Sequence, residues 1–450
     1  MRTRLVALIG ALLLAGIGFA PPALAEKYEA PHGPAFNNPI GGDKSRFRIE
    51  RRIMQAIKST HRDGRIRIAA YSFDRIPVAA ALLDARRRGV KVQILLNDHQ
   101  DTAAMRMLRA RLGSNPKKPN FIYRCRSSCR GAQPNRNLHT KFYLFSKAGK
   151  SDDVVMLGSA NLTLNAVAHQ WNDLWTTSEQ PDLYQNYVAL FNDMRRDYNK
   201  RQPSYVFCAK PLEMACDEYA DTMVSRVLPK RTTMKNDVIL DFLDQVQCLT
   251  PQPDGTNKRT KLALSMHTIR GNRGMYLAEK IRKLYADGCN FKVNYGIIGF
   301  YVKLRLGAVT PRGRIPMRST GFDFNGDEEI DRYTHQKYFV VRGNFAGDPL
   351  ARITMTGSSN WATLGTAQDE VIFTVHGGGV AKKYMRNFER MWLPRYSRNA
   401  YTTTYTNFRV TRMIVGADGV QRPITVTKRR AVTRVLPDRV QGAGPRWESD

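Results

Sequence analysis

What most restricts this chain is that it is written twice. His139-x-Lys141 is followed by Gly158-Ser159-Ala160-Asn161, and His335-x-Lys337 by Gly357-Ser358-Ser359-Asn360. No other histidine among the eight has a lysine two residues on, and no third Gly-Ser-x-Asn tetrad exists. The histidine-to-glycine separations are 19 and 22 residues, and the two histidines stand 196 positions apart. A period near 200 residues means a duplicated domain, because solenoid units run only to about 20–50 residues.

Hydrophobic patterning supports two copies of one α/β unit. The first copy reads as strand 65–73, helix 78–88 ended by Gly89, and strand 90–96, which is βαβ grammar. Strand signals follow at 121–124, 141–145, 154–157 and 174–177, with a closing helix at 181–199. The second copy repeats that order: strand 261–269, helix 273–285, strands 291–298, 337–341, 353–356 and 371–375, and a closing helix at 380–392. The expected fold is α/β: two duplicated α/β/α sandwich lobes with mixed sheets, packed in pseudo-twofold fashion. With 42% hydrophobic residues in 450, the chain can bury two ordinary cores, which excludes disorder as its dominant state. The expected division is a leader at 1–25, lobe one at 38–205, a linker or insertion at 206–234, lobe two at 235–398 and a basic segment at 399–450.

The leader reads as an export signal: Arg2 and Arg4, an apolar run at 5–20, and Ala23-Leu24-Ala25 as a cleavage site. An uncleaved anchor is the alternative, but the run is short for a span. A secreted protein is expected. Six cysteines in an exported chain read as disulfides, and proximity suggests Cys125 with Cys129, Cys208 with Cys216, and Cys248 with Cys289. A zinc site from Cys125, Cys129 and His139 is the competing reading, though its ligand set is incomplete.

Alternation along a strand puts His139 and Lys141 on one side, His335 and Lys337 on one side, and likewise Ser and Asn of each tetrad. Adjacent polar or acidic residues then enter an apolar strand in each copy, Asn172-Asp173 and Asp369-Glu370. Cleaving a phosphodiester needs a nucleophile on one side of phosphorus, an acid for the leaving oxygen on the other, and donors for the remaining oxygens. Two histidines supply the first pair, provided one is neutral and the other protonated. Lys141 and Lys337 supply charge; Asn161, Asn360, Ser159 and Ser358 supply hydrogen bonds. Neither a metal nor another cofactor is required by this inventory. Capping of a following helix is the simpler role for each Ser and Asn, and it does not exclude phosphate donation.

These motifs resemble the phospholipase D superfamily, whose signature is His-x-Lys-x4-Asp followed by Gly-Ser-x-Asn, often duplicated in one chain. The resemblance runs from about Asn38 to Pro394 and includes Tyr71-Ser72-Phe73 and Arg86-Arg87-Arg88-Gly89-Val90. It implies two lobes face to face with one active site between them, His139 as the nucleophile and His335 as the acid. It also implies that Asp173 and Glu370 orient the histidines. The motif aspartate is missing from both copies, where Ser146 and Arg342 stand instead.

Charge bears on the substrate. Lys and Arg outnumber Asp and Glu by 71 to 39, a balance of +32, which suits a polyphosphate backbone or an anionic membrane equally well. The doubled motif in one exported chain looks like secreted bacterial phospholipases D, and Ile297-Ile298-Gly299-Phe300-Tyr301-Val302 is a candidate apolar groove mouth; a buried strand running into a helix is its other reading. Phospholipid is therefore the expected substrate and a membrane surface the expected partner, with no obligate protein partner and a monomeric state. A nuclease of the same superfamily and a non-catalytic cationic binding protein are the alternatives.

Overall fold

The computed structural model describes residues 27–131, 135–323 and 330–436; the leader expected at 1–25 and the end of the basic segment, 437–450, lie outside them. Two mixed sheets form the molecule. The first runs, edge to edge, Ala35–Phe36, Asp173–Thr177, Ser151–Gly158, Phe142–Ala148, Arg65–Ala70, Lys91–Asn97 and Phe121–Cys125. The second repeats the order with Val371–His376, Asp348–Gly357, Lys337–Phe345, Lys261–Ile269, Asn290–Ile298 and Met317–Ser319. In each sheet the last three strands are parallel and the rest antiparallel. The parallel strands of the first sheet are buried on both faces, Ile66, Ile68, Val92, Ile94 and Leu96 on one and Ala69, Leu95 and Phe121 on the other.

Helices Arg48–Ser59, Ile76–Arg87 and Ala103–Leu112 pack one face of the first sheet through Ile53, Ile57, Leu82 and Leu108. The opposite face carries the closing helix Pro181–Met194, and the core beneath it is shared: Phe142, Tyr187 and Phe191 of the first unit sit in one apolar cluster with Val371 and Phe373 of the second. On the second sheet the closing helix Gly378–Met391 packs Ala381, Tyr384 and Phe388 on Tyr338 and Val340. A shared close-packed core transmits position rigidly from one sheet to the other, as a site built from both requires.

The segment 206–234, expected as a linker or insertion, adds strands to the second sheet. Tyr205–Cys208 and Met223–Val227 are antiparallel strands that extend the second sheet beyond Val371–His376. Phe207, Met223 and Val227 on them join the shared core, so burial outweighs the polar composition around them. All three disulfides join the cysteines paired by proximity, Cys125–Cys129, Cys208–Cys216 and Cys248–Cys289. Bonded sulfurs cannot serve as zinc thiolates, which removes the competing metal reading of Cys125 and Cys129.

The basic segment is a long two-stranded ribbon, Tyr401–Val415 against Gln421–Val435, in continuous antiparallel register. Seven of its strand residues are Lys or Arg and none is acidic, while Met413, Val415 and Val420 near its turn are exposed. No helix among the described residues is long and apolar enough to cross a membrane.

Candidate active site

Two short cross-unit pairings assemble the site. Leu138 bridges Asp369, and Tyr333–Thr334 pairs in parallel with Gln170–Trp171. Consequently His139 N–H donates to the Asp369 carbonyl at 3.0 Å, and His335 N–H to the Trp171 carbonyl at 2.9 Å. Each histidine is thereby stitched by its own backbone to the opposite unit. All ten candidate residues, His139, Lys141, Ser159, Asn161, Asp173, His335, Lys337, Ser358, Asn360 and Glu370, are buried.

The imidazoles are held differently. His139 Nδ1 lies 2.7 Å from Glu370 Oε1, across the unit boundary. His335 Nδ1 lies 3.0 Å from Asn172 Oδ1, again across the boundary. Burial would raise the Glu370 carboxyl, but the charges of His139 and Lys141 and hydrogen bonds from His139 and Ser358 hold it below its usual value, so it is an anion at neutral pH. At the same ring atom His335 faces an amide oxygen where His139 faces a carboxylate.

Asp173 was the expected partner of the histidines and is not one. Gly158 stands opposite Leu174 and Gly357 opposite Ile372, so the residue equivalent to Glu370 is Asn172. A shift of one position along a strand turns a side chain to the other face. Asp173 therefore points away and accepts from Thr356 Oγ1 at 2.5 Å, Tyr384 OH at 3.0 Å and Ser159 Oγ at 2.9 Å. Burial pushes its carboxyl above the usual range despite those bonds and the charge of Lys337.

The serines, expected to contact substrate, brace the strands instead. Ser159 Oγ lies 2.9 Å from both Asn172 Oδ1 and Asp173 Oδ1, and Ser358 Oγ accepts from Val371 N–H at 3.2 Å. The tetrad glycines permit this close approach: a Cβ on Gly158 would lie 2.3 Å from the Asp173 carbonyl oxygen, and one on Gly357 2.1 Å from that of Val371. The helix after the first tetrad, Leu164–Ala168, is capped by Thr163, which leaves Ser159 and Asn161 out of that task. Asn161 Oδ1 accepts from Ser72 N–H at 3.3 Å. Asn360 is buried beside Trp361, whose ring packs 6.1 Å from Phe339 in the second core.

Both lysines fold back on their motifs. Lys141 Nζ donates to the His139 carbonyl at 2.6 Å, and Lys337 Nζ to His335 Nε2 at 2.8 Å and the His335 carbonyl at 3.1 Å. An ammonium donating to Nε2 selects the tautomer with hydrogen on Nδ1, facing the Asn172 oxygen. Buried ammonium groups beside both imidazoles create a site that favours an anion.

Sequence reasoning missed two rings. Tyr71 sits edge-on to His139 at 5.1 Å and beneath Lys141 Nζ at 5.4 Å, and His99 stacks on it at 4.0 Å. His267 lies 4.6 Å from His335, with Nδ1 3.0 Å from the Thr334 carbonyl. Strand register makes Tyr71 and His267 counterparts, one residue beyond Ala70 and Met266. A ring at the matched position of each copy, after Ala70 and after Met266, was the available signal. Ser146, at one missing-aspartate position, accepts from Arg65 N–H at 2.9 Å.

A family described as "Cardiolipin synthase, PLD-like domain" matches residues 53–195 and 311–392, half of the chain and the parts that carry both motifs. The chain belongs to the phospholipase D superfamily. Among solved structures, this superfamily member is similar to phosphatidylserine synthase from Haemophilus influenzae, at 13% identity over 82% of this chain and 87% of that one, with a TM-score of 0.51. It is also similar to polyphosphate kinase from Porphyromonas gingivalis, at 13% identity over 80% of this chain and a TM-score of 0.48, but spans only 50% of that protein. Nuc from Salmonella typhimurium matches at 20% identity over 38% of this chain and 99% of its own, with a TM-score of 0.27. No curated protein matches the chain. The phospholipase D superfamily fold with two lobes accounts for the doubled sheets, and the superfamily is one of phosphodiester-acting enzymes.

Proposed function

We propose that the chain is an exported phosphodiesterase that cleaves the headgroup phosphodiester of phospholipids through a phosphohistidine intermediate. The observation that carries this reading is the crossed pair: His139 on the Glu370 carboxylate and His335 on the Asn172 amide. A carboxylate stabilises the positive charge that an imidazole acquires as it is phosphorylated, which fits His139 as nucleophile. An imidazole that faces a neutral amide at Nδ1 gives up its proton more readily than one that faces a carboxylate there, which fits His335 as acid.

In the first step Lys337 Nζ turns from His335 Nε2 to the phosphate, His139 Nε2 bonds to phosphorus, the bond from phosphorus to the headgroup oxygen breaks, and His335, protonated at the vacated Nε2, gives that oxygen its proton. Water then attacks phosphorus, His335 takes a proton from it, and the phosphorus–nitrogen bond breaks to leave phosphatidic acid and a free alcohol. Lys141, Lys337, Asn161 and Asn360 stabilise charge on the non-bridging oxygens.

Two exposed surfaces support a lipid substrate and a membrane partner. Helix Phe300–Gly307 follows the strand end that hydrogen-bonds through Gly299 to Ile269, which in turn bridges Trp361 after Asn360. Phe300 and Tyr301 on it are 67% and 73% exposed, so this segment is neither wholly buried nor a bare loop. The ribbon adds an apolar turn above a cationic shank, a combination suited to anionic bilayers. Three disulfides support an oxidising compartment.

The test is to incubate purified protein with phosphatidylcholine vesicles and, separately, plasmid DNA, each with EDTA. Choline release that is lost in His139→Ala supports the reading. DNA cleavage without choline release would make the chain a nuclease, and binding without turnover of either would make it a cationic binding protein.

A further inference from the structure

The Arg342 departure from the family signature is not absorbed by the histidine chemistry. It lies five residues beyond Lys337 on the same strand, about 17 Å from the catalytic lysine at ordinary strand rise. Lys261 stands directly opposite Arg342, and Arg342 directly opposite Arg352. Three cations thus occupy one lateral row on one face of three adjacent strands. Asn290 on a fourth strand continues the row beside Lys261. Like charges directly opposite one another in a ladder are destabilising.

Among the described residues no acid pairs with the row. With Lys258 and Arg259 these cations line one cavity of 480 Å³, whose lining holds no acid and no apolar side chain. None of the five forms an ion pair among the described residues; Arg259 and Arg352 spend a donor each on backbone carbonyls, of Gly288 and of Leu350 with Ala351. The 14-residue closing helix begins at Gly378 beside Arg352, with no side chain capping its first N–H groups, which adds positive potential at that end.

We propose that this cavity is a second anion-binding site, separate from the histidine site, for a compact multivalent phosphate anion. Two strand spacings separate Lys261 from Arg352, about 10 Å, which suits an anion with several charges spread along it. The absence of apolar lining argues against an acyl chain or a base as part of the ligand. The site is independent of the reaction proposed above, since none of its residues touches the histidines.

The experiment measures the melting temperature of the full protein in 150 mM salt, with and without millimolar tripolyphosphate. Wild type should be stabilised by several degrees; Lys261→Gln/Arg342→Gln should lose more than half of that rise, while Lys117→Gln/Lys118→Gln, remote exposed lysines, should keep it. Without the anion, the Lys261/Arg342 variant should melt no lower than wild type, because repulsion is relieved. Turnover of the catalytic substrate should be unchanged. An equal rise in all three proteins would overturn the proposal in favour of diffuse charge. A variant that melts several degrees lower without anion would show that the row is already satisfied, and would also overturn it. Phosphatidylglycerol vesicles form a second arm: sedimentation with them should not depend on Lys261 and Arg342, and a dependence there with none on tripolyphosphate would assign the row to lipid headgroups and refute the free-anion proposal.

Discussion

Replacing Glu370 by Gln probes the division of labour between the histidines. The substitution keeps the shape and one acceptor oxygen against His139 Nδ1, 2.7 Å away in the native protein, and removes the charge. Exchanging a charge-assisted hydrogen bond for a neutral one costs about 1–2 kcal/mol, a lower bound on the loss as His139 becomes cationic. Two unit charges with centres about 4 Å apart interact by about 4 kcal/mol at an effective dielectric of about 20, an upper bound. At about 1.4 kcal/mol per factor of ten, kcat should fall by about 10- to 1,000-fold. Steady-state rates on short-chain phosphatidylcholine, with the variant's melting curve as a check on folding, measure it. The acid limb of the pH–rate profile should also move to lower pH, since a neutral His139 is then easier to obtain. A folded variant that loses less than threefold, with an unmoved limb, would refute the assignment of Glu370 as the group that stabilises the nucleophile.

Other outcomes follow from the same geometry. Asn172→Asp gives His335 a carboxylate partner, so its ring should hold its proton to higher pH and the basic limb of the profile should shift upward; an unmoved basic limb would contradict His335 as acid. Burial raises the Asp369 carboxyl from 3.8 to about 7, against hydrogen bonds and charge from Ser128 and Arg130. The folded state then keeps a proton that the unfolded chain releases, and native stability falls as pH rises from about 4 to about 7. Asp369→Asn has no such proton, so it should gain on wild type across that window by up to about 4 kcal/mol, read from urea melts at pH 4.5 and pH 8; a pH-independent difference would contradict this. Gly357→Ala puts a Cβ 2.1 Å from the Val371 carbonyl oxygen at a φ of 134°, and should cost on the order of 3 kcal/mol in denaturant melts; a loss under 1 kcal/mol would show that the strands can separate there.

Much of the strand and helix order was legible because apolar periodicity was strong and occurred twice. Lys261–Ile269 matches its expected span, and the other expected strands differ at their ends, where pairing partners extend or trim them. The motif residues were legible because each alternates within a strand, which fixes a side without any tertiary knowledge. Choosing Asp173 over Asn172 required the register of Gly158 on Leu174, a long-range pairing that composition does not encode, and the preference for an acid pointed to the wrong neighbour. Tyr71 lies one residue past its strand and His267 inside Lys261–Ile269, so periodicity within a single copy marks neither ring as part of the site. The strands at Tyr205–Cys208 and Met223–Val227 were hidden among polar residues because only docking on the shared core makes them favourable.

The most direct measurement of the central claim is to quench the reaction with radiolabelled phospholipid in alkali, which preserves phosphohistidine, and map the label by peptide sequencing. Label on His139, absent from His139→Ala and accumulating in His335→Asn, is the predicted result. Label on His335, or turnover with no labelled histidine at any time point, would contradict it.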